Sequence, residues 1–220
     1  QMTMFERKSR LTVSAVTWST CCGALLAACV LTVPLSADDK ATALFDGKSL
    51  DGWNVLDSDK QWWTVADGAI VGGSLTESVT RNMFVASNES FQNFDLKLKI
   101  RIQGTDGFIN SGVQIRSVRV PDSSEMSGYQ VDAGDGWWGK IYDESRRNKV
   151  VGEAANLQAV NDAIRPGDWN EYRILAEGRR IRSWINDVPA LDYTEADQSI
   201  PLDGHIGFQV HGGGKALVQR

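Results

Sequence analysis

The stretch "FDLKLKIRI", residues 94–102, alternates apolar and charged side chains without a break. Phe94, Leu96, Leu98, Ile100 and Ile102 fall on one face, and Asp95, Lys97, Lys99 and Arg101 on the other. A period of two is the signature of a strand with one buried and one solvated face. The same alternation recurs in "GVQIRSVRV" (112–120) and "HIGFQV" (205–210). It recurs again in "YRILAEGRRIRSWINDV" (172–188), which turns at Glu177-Gly178. "WWTVADGAIVGG" (62–73) carries a hairpin signal at Asp67-Gly68. Strands spaced about 8–12 residues apart, with Gly, Asn and Asp between them, predict an all-β sandwich of two antiparallel sheets. Only "EAANLQAVNDAI" (153–164) tolerates a helix. The buried set predicted from common parity is Phe94, Leu96, Leu98, Ile100, Val113, Ile115, Val131, Ile141, Ile174, Ile206, Phe208 and Val210.

Ahead of the strands, Arg7, Lys8 and Arg10 precede an uncharged run from Leu11 to Leu35 that ends "PLSADDK". Basic, apolar and small residues in that order predict a signal peptide over 1–37, cleaved after Ala37, and a periplasmic or secreted domain over 38–220. A second reading takes "LAAC" (26–29) as a lipobox, with the protein anchored as a lipoprotein through Cys29. All three cysteines, Cys21, Cys22 and Cys29, lie in this segment, so disulfide chemistry is not expected in the domain. The whole chain has a formal net charge of −5, and the leader contains three basic residues and one acidic. The acidic domain that remains argues against nucleic acid as a partner, and no second apolar run predicts a membrane span. Of the eight tryptophans only Trp18 belongs to the leader. Trp-rich domains commonly hold sugars by stacking.

Alternation also assigns the other face. If Val113 and Ile115 point inward, Asn110, Gln114 and Arg116 point outward. By the same parity Gln130 and Asp132, Lys140 and Tyr142, and Gln209 and His211 share that outward side. Amides, carboxylates and a guanidinium are the groups that grip hydroxyl-rich ligands. Trp137 or Trp138, in "GYQVDAGDGWWGKIYDES" (128–145), is placed to provide a stacking wall. That stretch is predicted as a strand (128–133), a Gly/Trp loop (134–139) and a second strand (140–143). His205 lies at the opposite end of its strand from His211 and is assigned a structural role. Asp132, Asp135, Asp143 and Glu144 match no cation-binding loop, so no metal or other cofactor is expected, with a divalent metal as the alternative.

Six segments in order carry a family resemblance: "LFDGKSLDGW" (44–53), "WTVADGAIVGG" (63–73), "NSGVQIRS" (110–117), "GYQVD" (128–132), "DWNEYRILAEGRRIRSWIND" (168–187) and "GHIGFQVHGGG" (204–214). Together they resemble the 3-keto-disaccharide hydrolase family of secreted bacterial proteins, also described as 3-keto-glucoside lyases or hydratases. The resemblance implies a concanavalin-like jelly roll whose concave sheet carries the site. It implies 3-keto-glycosides as substrates, cleaved by removal of the proton on carbon 2 and elimination from carbon 1, with net hydrolysis. With that chemistry, Asp132 and His211 are the base candidates, and Arg116 and Lys140 the enolate-holding cations. Tyr142 or Glu144 is the acid, and Asn110, Gln114, Gln130, Gln209 and Trp137 or Trp138 bind the substrate. A non-catalytic carbohydrate-binding module is the alternative. The family closes with a strand of the form V-x-F-R-N-I-x-I, and "ALVQR" (216–220) leads one to expect that strand cut short.

Overall fold

A computed structural model of the chain describes residues 2–6 and 41–220. Sixteen strands make up nearly all of its regular structure. They are β1 (Thr3–Glu6), β2 (Thr42–Ala43), β3 (Trp53–Val55), β4 (Trp63–Ala66), β5 (Ala69–Gly73), β6 (Met83–Phe91), β7 (Phe94–Gly107) and β8 (Asn110–Arg119). The series continues with β9 (Met126–Gly134), β10 (Lys140–Glu144), β11 (Val150–Glu153), β12 (Asn170–Glu177), β13 (Arg180–Ile185), β14 (Val188–Thr194), β15 (Gly204–Val210) and β16 (Gly214–Gln219). The single α-helix among the described residues, α1 (Leu157–Ala163), lies inside the segment that tolerated one; the Asn156 side chain caps it by accepting from the Ala159 amide. Among the described residues no helix is long and apolar enough to cross a membrane.

The strands form two antiparallel sheets. One has the order β14-β13-β12-β7-β16-β5-β4, with β1 and β2 joined to it through β7; the other runs β11-β10-β9-β8-β15-β6-β3. Tight turns hold the hairpins: Asp67 and Gly68, between β4 and β5, both take positive φ (52° and 73°), as a two-residue hairpin requires. All twelve residues predicted from parity are buried, and they join one apolar cluster drawn from both sheets. The all-β jelly-roll sandwich is therefore the observed architecture.

The long strand β7 has two different neighbours along one edge. Its second half pairs with β16, as in Gln219↔Arg101 and Val218↔Ile102. Its first half pairs with β1, as in Thr3↔Lys97 and Met4↔Leu96. Both partners run antiparallel to β7, so β1 takes up the line where β16 leaves off. β16, the strand expected to be short, is six residues long and sits between β7 and β5. Most of the predicted leader, including the Cys29 lipobox and the Ala37 cleavage position, lies outside the described residues. Met2 and Met4 are buried against the core. A chain beginning at Asp38 is thus expected to be less stable than one beginning at Gln1. The loss should be about 3 kcal/mol, from two buried methionines. Urea unfolding checks this, and equal midpoints would show that β1 adds nothing to the fold.

Candidate functional site

The second sheet carries the polar face. On its outward side, a glycine makes room for an amide. A Cβ on Gly112 would stand 2.3 Å from Gln130 Cγ, so Gln130 covers this position only because Gly112 has no side chain. On that side a directed chain of hydrogen bonds leads to one carboxylate. The Ser117 hydroxyl donates to Gln114 Oε1 (2.7 Å), and Gln114 Nε2 donates to Gln130 Oε1 (3.1 Å). Gln130 Nε2 then donates to Asp132 Oδ1 (2.9 Å). Each amide uses its nitrogen as donor and its oxygen as acceptor, so the orientation of every member is set by the next.

The chain leaves Asp132 Oδ2 buried with no partner, although the residue is only 1% exposed. Two further buried atoms on this face are unpartnered: Asn110 Nδ2 and Gln209 Oε1. Buried polar groups are nearly always bonded, so the unsatisfied Asn110 donor and Asp132 acceptor, which line one cleft, mark a place for a polar ligand. The cleft there has a volume of about 300 Å³. Asn110, Gln130, Asp132, Trp137, Tyr142, Glu144 and His211 line it, together with Asn82 and Phe108.

The electrostatics of the cleft follow from burial. Desolvation pushes the Asp132 carboxyl up to about 8, with the neighbouring Glu144 adding to the rise and the Gln130 bond and Lys140 opposing it. Desolvation likewise pushes Glu144 up to about 7, helped by Glu125 and opposed by the bond from Gln209 Nε2 (3.2 Å). Tyr142 is raised by burial and by the nearby carboxylates, which keeps its hydroxyl a hydrogen-bond donor. His211 Nδ1 lies 2.6 Å from the Gly212 carbonyl oxygen and donates to it, leaving Nε2 for the cleft. The imidazole packs edge-on to Phe108 (4.6 Å), and Phe108 packs edge-on to Trp137 (6.4 Å). Trp137 also meets the edge of Tyr142, and Lys140 Nζ sits 5.4 Å from the centre of its ring.

The structure therefore brings together most of the residues that parity selected, with three corrections. Arg116 is not on this face. The pairing of β8 with β9 shifts between Ile115 and Val118, and Arg116 takes a positive φ of 50° at that bulge. Its guanidinium turns away to donate to the Gln92 carbonyl oxygen (2.7 and 3.1 Å), and Ser117 takes over the outward position. Trp138 is the second correction: it is buried in the core against Tyr172, so Trp137 alone forms the cleft wall. Third, Gln114 and Gln209 stand beneath the cleft as supports, each engaging a lining residue.

Asn82 and Phe108 were not selected from the sequence. Asn82 lies just outside β6, where its Oδ1 accepts from the Gly212 amide (3.0 Å), so no strand parity reached it. Phe108 had a signal: it is a lone aromatic in the Gly-rich turn "GTDGFINSG" (104–112), and it is 40% exposed. Asp143 turns inward to Arg146 and Arg147, and among the described residues no group of three or more His, Cys, Asp or Glu is placed to hold a metal ion.

A jelly-roll sandwich with a small polar cleft on one sheet, walled by tryptophan and floored by amides, is the build of a carbohydrate-acting domain. The chain belongs to the 3-keto-alpha-glucoside-1,2-lyase-like domain family, whose pattern matches residues 40–218. Membership makes it, in the broad sense, a carbohydrate-acting hydrolase. No curated protein matches the chain. Among solved structures it is similar to a proposed glycosyl hydrolase of Parabacteroides distasonis: TM-score 0.57 and 22% identity, over 81% of this chain and 90% of that one. It is similar also to a carbohydrate-binding module of Bacillus subtilis, with TM-score 0.53 and 19% identity over 77% and 92% of the two chains. A Bacillus subtilis protein of galectin-like fold gives TM-score 0.56 at 11% identity, over 77% and 87%. At these identities the likeness is one of fold.

Proposed function

We propose that the domain cleaves 3-keto-glycosides by elimination and rehydration, with Asp132 as base and Glu144 as acid. The observation that carries this reading is the Asp132 carboxyl, held through Oδ1 while the unpartnered Oδ2 is free to meet a ligand, and raised by burial to about 8. A base with a pKa near the working pH is matched to taking a proton from carbon. In a 3-keto-glycoside the ketone acidifies the proton on carbon 2. Asp132 takes that proton, and the electron pair passes through carbon 2 onto the ketone oxygen as an enolate. Lys140, within electrostatic reach of Asp132, supplies positive charge nearby. Collapse of the enolate restores the ketone, turns the single bond between carbons 1 and 2 into a double bond, and breaks the bond from carbon 1 to the aglycone oxygen. Glu144 gives that oxygen its proton. Water then adds its hydroxide to carbon 1 and its proton to Glu144, while Asp132 returns its proton to carbon 2. The net result is hydrolysis, without the oxocarbenium ion of ordinary glycosidases. Gln130, held over Gly112, positions Asp132, and Trp137 offers the face on which the sugar ring stacks.

The test is incubation of the purified protein with a 3-keto-glucoside across pH 5 to 10. Release of the aglycone with free 3-keto sugar, or an unsaturated sugar, is expected by mass spectrometry. The base must be ionised and the acid protonated, so kcat/KM is expected to follow a bell with apparent pKa values near 7 and 8 that belong to the pair. A flat profile would remove both carboxyls from the chemistry. The carbohydrate-binding neighbour motivates the alternative that the cleft only holds a sugar; that reading wins if 3-keto-glucosides bind and none is turned over.

A further inference from the structure

We propose that the leaving group of the substrate is held in a second cavity, of about 710 Å³, which adjoins the cleft at Phe108, and that Asn110 stands at the partition. The inference rests on the 3-keto-glycoside reading of the cleft. At about 300 Å³ the cleft is at the small end of ligand sites and takes one sugar ring, so the rest of a glycoside must lie elsewhere.

Two observations say where. Phe108 lines both cavities. Asn110 lines the cleft, and its Nδ2 is packed so closely on Gly134 that a Cβ there would lie 3.0 Å away. Gly134 in turn lines the larger cavity. Asn110 is only 3% exposed, and its Nδ2 has no partner. A buried, unpaired donor therefore sits where the two spaces meet. In a bound glycoside the atom at that junction is the glycosidic oxygen, which gains negative charge as its bond to carbon 1 breaks. A preplaced N–H is worth most to a charge that develops only in the transition state.

The larger cavity has an apolar floor of Ile102, Ile109, Trp138 and Ile164, with Asn161 and Arg165 at its rim. The rim is preformed: Asn170 Oδ1 accepts from the Arg165 amide (2.8 Å), and Asn170 Nδ2 donates to the Arg165 carbonyl oxygen (3.0 Å). Such a lining suits an aglycone with one apolar face and a hydroxyl-bearing edge. A second sugar ring and an aromatic alcohol share that chemistry, and the two are separated by experiment.

The experiment compares wild type and Asn161→Trp on methyl 3-keto-glucoside, a 3-keto-disaccharide and phenyl 3-keto-glucoside. Asn161 is exposed on α1, so a tryptophan there covers the larger cavity without entering the cleft. KM is expected to rise by about 10-fold or more for the disaccharide, the phenyl glycoside or both. The methyl glycoside, which barely enters the cavity, should keep its kcat/KM within about twofold and thereby reports that the variant is folded. A rise confined to one substrate identifies the aglycone class. Asn110→Ala should slow the methyl glycoside more than the phenyl one, because the poorer leaving group needs the donor more. Parallel changes on all three substrates, or none, would overturn the subsite while leaving the reaction in place. A wild type that turns over none of them overturns the reaction, and the subsite with it.

Discussion

Asp132→Asn is expected to lower turnover by at least about 10²-fold while making the protein more stable. The amide keeps the size of the side chain and its acceptor for Gln130, but it cannot take a proton from carbon. Substrate binding should be largely retained. The stability gain follows from the same burial that tunes the carboxyl. In the unfolded chain Asp132 ionises near 3.8; in the folded protein it holds its proton up to about 8. Between those values the folded state binds more protons than the unfolded one, so its stability falls as pH rises through that window. Below pH 4 the variant and the wild type should be alike. At pH 8 the variant should gain on the order of 1–2 kcal/mol, the typical cost of burying a poorly compensated polar group. That gain corresponds to a rise in Tm of about 3–6 °C. Thermal melts at pH 4 and pH 8, beside kinetics on a 3-keto-glucoside, check both halves. A variant that is slow but no more stable at pH 8 would mean that the buried carboxyl carries no such cost.

Gly112→Ala is the second large effect, and it acts through a neighbour. The new methyl would collide with Gln130 Cγ, and the amide that donates to Asp132 Oδ1 must move. That bond opposes the rise in the Asp132 pKa, so its loss should shift the pH profile of kcat/KM to more alkaline values. At neutral pH the rate should fall by about 10- to 10²-fold, the range for a misplaced catalytic group. Gln130 is here a positioning residue, and general loosening of the sheet would lower the rate without moving the profile. An unshifted profile would show that the hydrogen-bonded chain from Ser117 does not tune the base.

The strand pattern and the buried face were legible because they are local properties. In 94–102 each apolar residue is followed by a charged one, and a pleated strand can bury only one of those sets. The same logic put Asn110, Gln130, Asp132, Tyr142 and His211 on one face from sequence alone, and the cleft collects all of them. Parity failed at Arg116 because a bulge adds a residue that the pattern cannot show. What packs on the bulge is distant in the chain: Gly204, on β15, approaches so closely that a Cβ would stand 2.4 Å from the Arg116 carbonyl carbon. The choice between Trp137 and Trp138 likewise depended on Tyr172, which packs on one of them from the opposite sheet. Sequence alone thus determined which residues face outward along an unbroken strand. Tertiary structure decided which of them meet, which carboxyl is stripped of water, and which polar atoms are left without a partner, because burial and close approach arise only between segments far apart in the chain.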